Sequence, residues 1–168
     1  MQTMLQLLSA LTDKLKTLVV QKNAPTASGQ KLYETALTFI SIDASPLDNA
    51  PDELGCVESL EQVYFKAFGE YLGGGVSTLR LYYALLNNKK FVKVTSPLEG
   101  DIILSPTGMA SKKTEITNGH VGICGQNGKI MSNNSSNGLW MQNYDTWSWR
   151  MRFITNGGYP LYLFRKVL

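Results

Sequence analysis

Histidine and cysteine are scarce in this chain. Its 168 residues hold one histidine, His120, and two cysteines, Cys56 and Cys124. Two cysteines cannot build the multi-bridge framework of a small secreted domain, so both read as free thiols made in a reducing cytoplasm. Without a Cys-x-x-Cys or His-x-x-x-His spacing, Cys56, His120 and Cys124 make a poor zinc set, and neither a metal nor another cofactor is expected. Basic clustering is missing too. The net charge is +3, and lysines pair only at Lys89–Lys90 and Lys112–Lys113, which argues against a nucleic-acid partner. No apolar run is long enough to cross a membrane. The apolar N-terminus lacks a basic lead-in and is broken by Asp13, Lys14 and Lys16, which argues against a secretory signal. Repeats and low-complexity tracts are absent. Charged residues make up 17% and hydrophobic residues 43%, the balance of one globular domain.

What is present is ordered along the chain. Met4, Leu8, Leu11, Leu15 and Leu18 recur at helical spacing within residues 3–21. Such a helix packs on the domain, on a second copy of the chain as a homo-oligomer contact, or on a membrane surface. "KNAPTASGQ" reads as a linker, which sets residues 1–30 apart from a main domain at 31–168. "KLYETALTFI" predicts a short helix over 31–40, and 41–55 a long loop with Pro46 and Pro51. "CVESLEQVYFKAFGEYL" resumes helical spacing, so Cys56 opens a helix. Gly73–Gly75 make a turn before a further helix capped by Ser77 or Thr78. From about residue 91 the chain changes to short β-rich runs bounded by Gly, Asn and Pro: "KFVKVTS", "GDIILSP", "HVGICG", "GKIMSN" and "YPLYLFRKV". Helices followed by an antiparallel sheet give an α+β fold.

The chemistry concentrates in Cys56 and His120. A thiolate is the nucleophile, and a helix N-terminus and a neighbouring imidazolium both favour it. Gly55 would let substrate approach the backbone there. On the strand opened by His120, alternation puts His120, Gly122 and Cys124 on one face, and Gly122 leaves space beside the histidine. A cysteine opening a helix and a histidine on a later strand form the pattern of a nucleophile and its base. A third polar group usually orients the imidazole. The next strand returns Ser132, Asn133 and Asn134 beside His120. Asn133 is the first choice for that role and Ser132 the second.

"PLEGDIILSP" followed by "GHVGICGQNGKIM", with "GCVESL" upstream, resembles the core of NlpC-type and CHAP-type cysteine peptidases. The likeness spans residues 55–135. It implies a papain-like fold, with Cys56 as nucleophile, His120 as base and acid, and Asn133 or Ser132 as orienter. It also implies a peptide or amide bond of bacterial peptidoglycan as substrate. The elaborated C-terminal segment resembles phage lysins and tail-associated hydrolases. Such an enzyme is made in the host cytoplasm and reaches the wall through a holin or on a virion. Two further readings stand beside this one: a toxin-like amidase or deamidase acting on protein, and a wall-binding module with little turnover. No residue of "SPLDNAPDELG" matches the family's upstream tyrosine, which leaves the second oxyanion donor unassigned.

Other features have plainer explanations. Gly73–Gly75 lack the Gly-Lys-Ser/Thr end of a phosphate loop. Asp101 suits a turn. Asp43, Asp48, Asp52 and Glu53 form a solvated loop rather than a spaced acid/base pair. Trp140, Tyr144, Trp147 and Trp149 suit core or edge packing better than sugar stacking.

Overall fold

The computed structural model describes Met4, Leu8, and residues 24–45 and 54–168. Most of the N-terminal amphipathic segment and of the 41–55 loop lies outside the described residues. Met4 and Leu8 themselves are helical and exposed.

Helix α1 runs Ala27–Thr38 and buries Gly29, Leu32, Tyr33 and Ala36, one stripe at helical spacing. It starts earlier than the apolar period predicts, because Thr26 caps it. The Thr26 hydroxyl oxygen accepts from Gly29 N–H at 2.9 Å, and its hydrogen goes to the Lys166 carbonyl at 2.7 Å. One side chain therefore starts the helix and pins it to the last strand. Residues 27–30, read from sequence as linker, belong to this helix.

Helix α2, Cys56–Phe68, buries Val57, Leu60, Val63, Tyr64 and Ala67 and ends at Gly69 in the left-handed conformation. Each fully buried aliphatic side chain here contributes roughly 1.5–3 kcal/mol. The glycine turn after α2 folds over Glu61, whose buried carboxylate accepts from Leu72 N–H and Gly74 N–H, both at 2.6 Å. That use of the backbone amides explains the turn without any phosphate. Helix α3, Thr78–Asn87, follows with Ser77 as its cap.

Six strands form one antiparallel sheet: β1 (Phe91–Val94), β2 (Ile102–Ser105), β3 (His120–Cys124), β4 (Lys129–Asn133), β5 (Trp140–Asp145) and β6 (Tyr162–Lys166). Their order across the sheet is β1-β6-β2-β3-β4-β5. The fold is α+β. The sequence runs that predict strands all form them, and β5 is added from a segment with no clear alternation.

Alternation along the strands divides the core. Ile102, Leu104, Val121, Ile123, Met131 and Phe164 face α1–α3. Ile103, Cys124, Ile130 and Leu163 face the other way, onto Trp149, Phe153 and Tyr159. That second layer comes from helix α4, Thr146–Trp149, which continues as π-helical turns over Arg150–Asn156. A reciprocal cap opens α4: Ser148 N–H donates to Asp145 Oδ1 at 2.8 Å, and Asp145 N–H to Ser148 Oγ at 2.9 Å.

Asp101 ties strand β6 to the turn before β2. Its buried carboxylate accepts from Leu98 N–H at 2.7 Å and from Arg165 Nε and Nη2 at 2.9 and 2.8 Å. The turn role read from sequence is present, with a two-pronged ion pair added. Asp101→Ala leaves Arg165 with little solvent to replace its partner. The expected loss is about 3–5 kcal/mol in urea unfolding, the usual cost of breaking a buried pair. A loss under about 1 kcal/mol would mean the pair is only a surface contact.

Candidate functional site

The site forms where two strands part. Strands β3 and β4 pair at Ile123–Met131 and Cys124–Ile130, and no further pairing joins them toward His120. On the other side β3 stays paired with β2 through Ser105–His120. In that register Cys124 N–H bonds to Asp101, so by alternation Val121 N–H turns away from β2, toward the gap left by β4. The N-terminus of α2 fills this gap. Cys56 is the first residue of α2, and its sulfur takes a hydrogen bond from the Val121 backbone. The helix-opening cysteine is thus set against the residue that follows His120.

His120 is buried, and a chain of hydrogen bonds orients its ring. Ser132 Oγ lies 2.9 Å from His120 Nε2 and 2.7 Å from Asn143 Oδ1. Asn143 Nδ2 in turn donates to the Asn133 carbonyl at 3.4 Å, which sets the direction of the amide. With Asn143 Oδ1 as acceptor, the single hydroxyl hydrogen of Ser132 is used, so His120 Nε2 carries the proton that Ser132 accepts. Nδ1 is left with a lone pair, the state a general base requires.

Of the two candidate orienters, the Ser132 side chain makes this contact. The Asn133 side chain reaches α2, where its Oδ1 accepts from Ser59 Oγ at 3.3 Å, and its backbone carbonyl accepts from Asn143 Nδ2 in the chain that orients His120. The structure therefore brings His120 to Ser132, and Cys56 to the backbone beside His120. Among the described residues no hydrogen bond joins Cys56 Sγ to the ring. Asn143 gave no sequence signal.

The two glycines read as open space are both filled. A β-carbon on Gly122 would lie 2.6 Å from the Met131 carbonyl oxygen, 2.9 Å from Ile130 Cγ2 and 3.2 Å from Ser132 Cβ. The missing side chain lets β4 close in and deliver Ser132 to His120; it makes no room for substrate or for the ring. At Gly55 a β-carbon would meet Ser45 Oγ at 2.6 Å, with Asn133 Nδ2 at 3.5 Å. Ser45 occupies the approach that sequence assigned to substrate.

Aromatic rings enclose the imidazole. Phe153 stacks on it with centroids 5.5 Å apart and planes at 15°, Trp149 lies at 5.5 Å, and Tyr144 meets it edge-on at 5.6 Å. Trp140 and Trp149 are fully buried and Trp147 is exposed, so packing accounts for the first two. Cys124 sits in the same layer as an inert core thiol, raised in pKa by burial, then by Asp101. A cavity of about 400 Å³ opens on the ring, walled by Leu54, Ile116, Tyr144, Arg152 and Phe153 among others. Cys56 is not among the lining residues and is 6% exposed. Among the described residues, no three His, Cys, Asp or Glu side chains gather as metal ligands would.

Burial dominates the electrostatics. It pushes the Cys56 thiol up to about 11, against the pull of the N–H groups of Val121, Val57 and Cys56. Burial also pushes His120 down to about 4; the Arg152 guanidinium adds to this, and a hydrogen bond with the Asn133 backbone opposes it. At neutral pH the resting pair is a thiol and a neutral imidazole. Tyr144 is raised by burial, lowered by Arg152 and raised by Cys56, which puts its phenol within electrostatic reach of the thiol.

The lone histidine makes this directly measurable. The imidazole NMR signal of His120 should titrate near pH 4, far below a free histidine. Because the folded pKa is depressed, the unfolded chain binds the proton first. Stability from this group is complete above about pH 6.5 and is lost as pH falls through about 4, at about 1.4 kcal/mol per unit of separation. His120→Phe should flatten stability between these pH values; an unchanged slope would contradict a buried neutral ring. Gly122→Ala should cost about 1–3 kcal/mol by overpacking β4 and move the His120 signal by displacing Ser132. A fully tolerated alanine would restore the open-space reading.

No protein-family model matches this chain, and none of the curated proteins matches it.

Proposed function

We propose that the chain is a papain-like cysteine hydrolase of the NlpC/CHAP type that cleaves a peptide or amide bond in bacterial peptidoglycan. The observation that carries this reading is the convergence at the parting of β3 and β4. There, a helix-opening cysteine is hydrogen-bonded to the residue next to a histidine whose Nε2 is held by Ser132 and Asn143. Cys56 Sγ attacks the carbonyl carbon while His120 Nδ1 takes the thiol proton. The sulfur–carbon bond forms and the carbonyl electrons move to oxygen. The Cys56 N–H at the helix start and the Tyr144 hydroxyl stabilise that oxyanion. His120 then gives its proton to the leaving amine, and later activates the water that frees the acyl group. With the resemblance to phage lysins and tail-associated hydrolases behind it, the proposal includes synthesis in a host cytoplasm and action at the wall, after release by a holin or on a virion.

One observation favours a second reading. Cys56 is buried and its thiol is pushed up, not down. That suits a wall-binding module with little turnover, built on the same fold. A deamidase acting on protein would use the same residues on a glutamine side chain.

Purified peptidoglycan separates these readings. The wild type should release new amino termini, and Cys56→Ala and His120→Ala should abolish release. Ser132→Ala and Tyr144→Phe should each lower kcat, the latter by about 100-fold if it is an oxyanion donor. With neutral thiol and neutral imidazole as the competent pair, kcat/KM should rise near pH 4 and stay flat into the alkaline range. Cleavage that survives Cys56→Ala would remove the nucleophile assignment. Binding without cleavage would favour the module, and ammonia release from a protein substrate would favour the deamidase.

A further inference from the structure

The charge on the cavity wall carries the reading further. Arg152 is exposed at the rim of the cavity that opens on His120, and among the described residues its guanidinium makes no hydrogen bond or ion pair. It is nevertheless positioned: the guanidinium carbon lies 5.6 Å over the Phe153 ring, which is itself stacked on the imidazole. Arginine, aromatic ring and imidazole all line the one cavity. Glu115 brings the only carboxylate among the described lining residues, and Thr117, Asn118 and Ser135 are neutral. A guanidinium presents a flat fork of donors that matches a carboxylate. One cation and one carboxylate in the same lining suit a singly charged anion better than a dianionic phosphate.

We infer that Arg152 binds a free carboxylate of the substrate, close to the bond that Cys56 attacks. The substrate class is then an acidic peptide or amide, one whose scissile bond lies beside an acidic side chain or a terminal carboxylate. This rests on the hydrolase reading of Cys56 and His120. It also links recognition to chemistry. Arg152 from the π-helical turns, Tyr144 from β5 and Glu115 from the loop before β3 line the cavity that opens on the ring, and Cys56 opens α2 beside the strand that carries it. Only Arg152 is a cation, and it lowers the imidazole's affinity for a proton. A carboxylate laid on Arg152 cancels that field, so the proton leaving Cys56 Sγ is taken more readily by His120 Nδ1.

The test uses paired N-acetyl dipeptides, identical except for a C-terminal carboxylate or carboxamide. The NMR titration of His120 reports occupancy without turnover. The carboxylate peptide should raise the His120 pKa and the carboxamide should not. Arg152→Gln should raise it in the free protein and erase the difference between peptides, while Arg152→Lys should keep part of it. Where the protein hydrolyses such peptides, the carboxylate-to-carboxamide ratio of kcat/KM should fall about ten- to a hundredfold in Arg152→Gln, the size of one charged hydrogen-bonding contact, mostly through KM. Arg152 is exposed, so its variants should fold. Equal shifts by the two peptides, or a difference that survives Arg152→Gln, would overturn the carboxylate site. A carboxylate-specific shift with no cleavage of any peptide would instead defeat the hydrolase reading and leave the binding site standing.

Discussion

A strand that loses its neighbour must find new partners for its backbone N–H groups, because a buried amide without one costs as much as a lost hydrogen bond. Strand β3 meets this demand where β4 leaves it. Val121 N–H, turned from β2 by the register, is taken up by a sulfur at the start of a helix. The same departure brings the Ser132 hydroxyl back across Gly122 to the imidazole. Cysteine, histidine and orienting serine meet because one ladder ends after two residue pairs. A sheet fully paired to the end of β3 would have no place for the first residue of α2.

The helix dipole and the aligned N–H groups at the start of α2 would by themselves favour a thiolate. Burial wins here, since a charged sulfur at this buried position gives up its water. The same cost keeps the imidazole neutral, and the two effects fit together. An imidazole already protonated could accept nothing from the thiol, whereas a neutral one held at Nε2 by Ser132 offers Nδ1. The resting site stores no ion pair. In the proposed mechanism, transfer of the thiol proton to the ring creates one only when a substrate is bound.

Much of the fold was legible in the sequence, and the limits have physical causes. Apolar spacing located α2 and α3, and short β-branched runs located five strands, because periodicity records burial directly. The start of α1 was missed because Thr26 acts as cap, and a threonine in a Pro-, Ser- and Gly-containing stretch reads equally as linker. Strand β5 and the π-helical turns were missed because "WMQNYDTWSWRMRF" has aromatic residues in excess of either period. At the site, Cys56, His120 and Ser132 were legible as residue types at the ends of elements. Gly122 and Gly55 misled, because a sequence shows an absent side chain without showing what occupies the space. Asn143 and Arg152 left no trace, since an exposed arginine and a strand asparagine gain meaning only from what lies across from them.

Arg152 and Phe153 are adjacent on the π-helical turns, and both line one cavity. In an α-helix successive side chains diverge by about 100° and face different surroundings. A π-helix is wider, and such turns tend to occur at functional sites because they displace side chains from the regular register. Over Arg150–Asn156, Phe153 packs in the aromatic layer against His120 and Arg152 stays exposed with its guanidinium over that ring. The second layer of the fold therefore does two jobs with neighbouring residues: one strips water from the imidazole, and the other holds a cation beside it. Both lower the proton affinity of His120, but only the cation's effect can be reversed by a ligand, because a ring cannot be neutralised and an arginine can be paired.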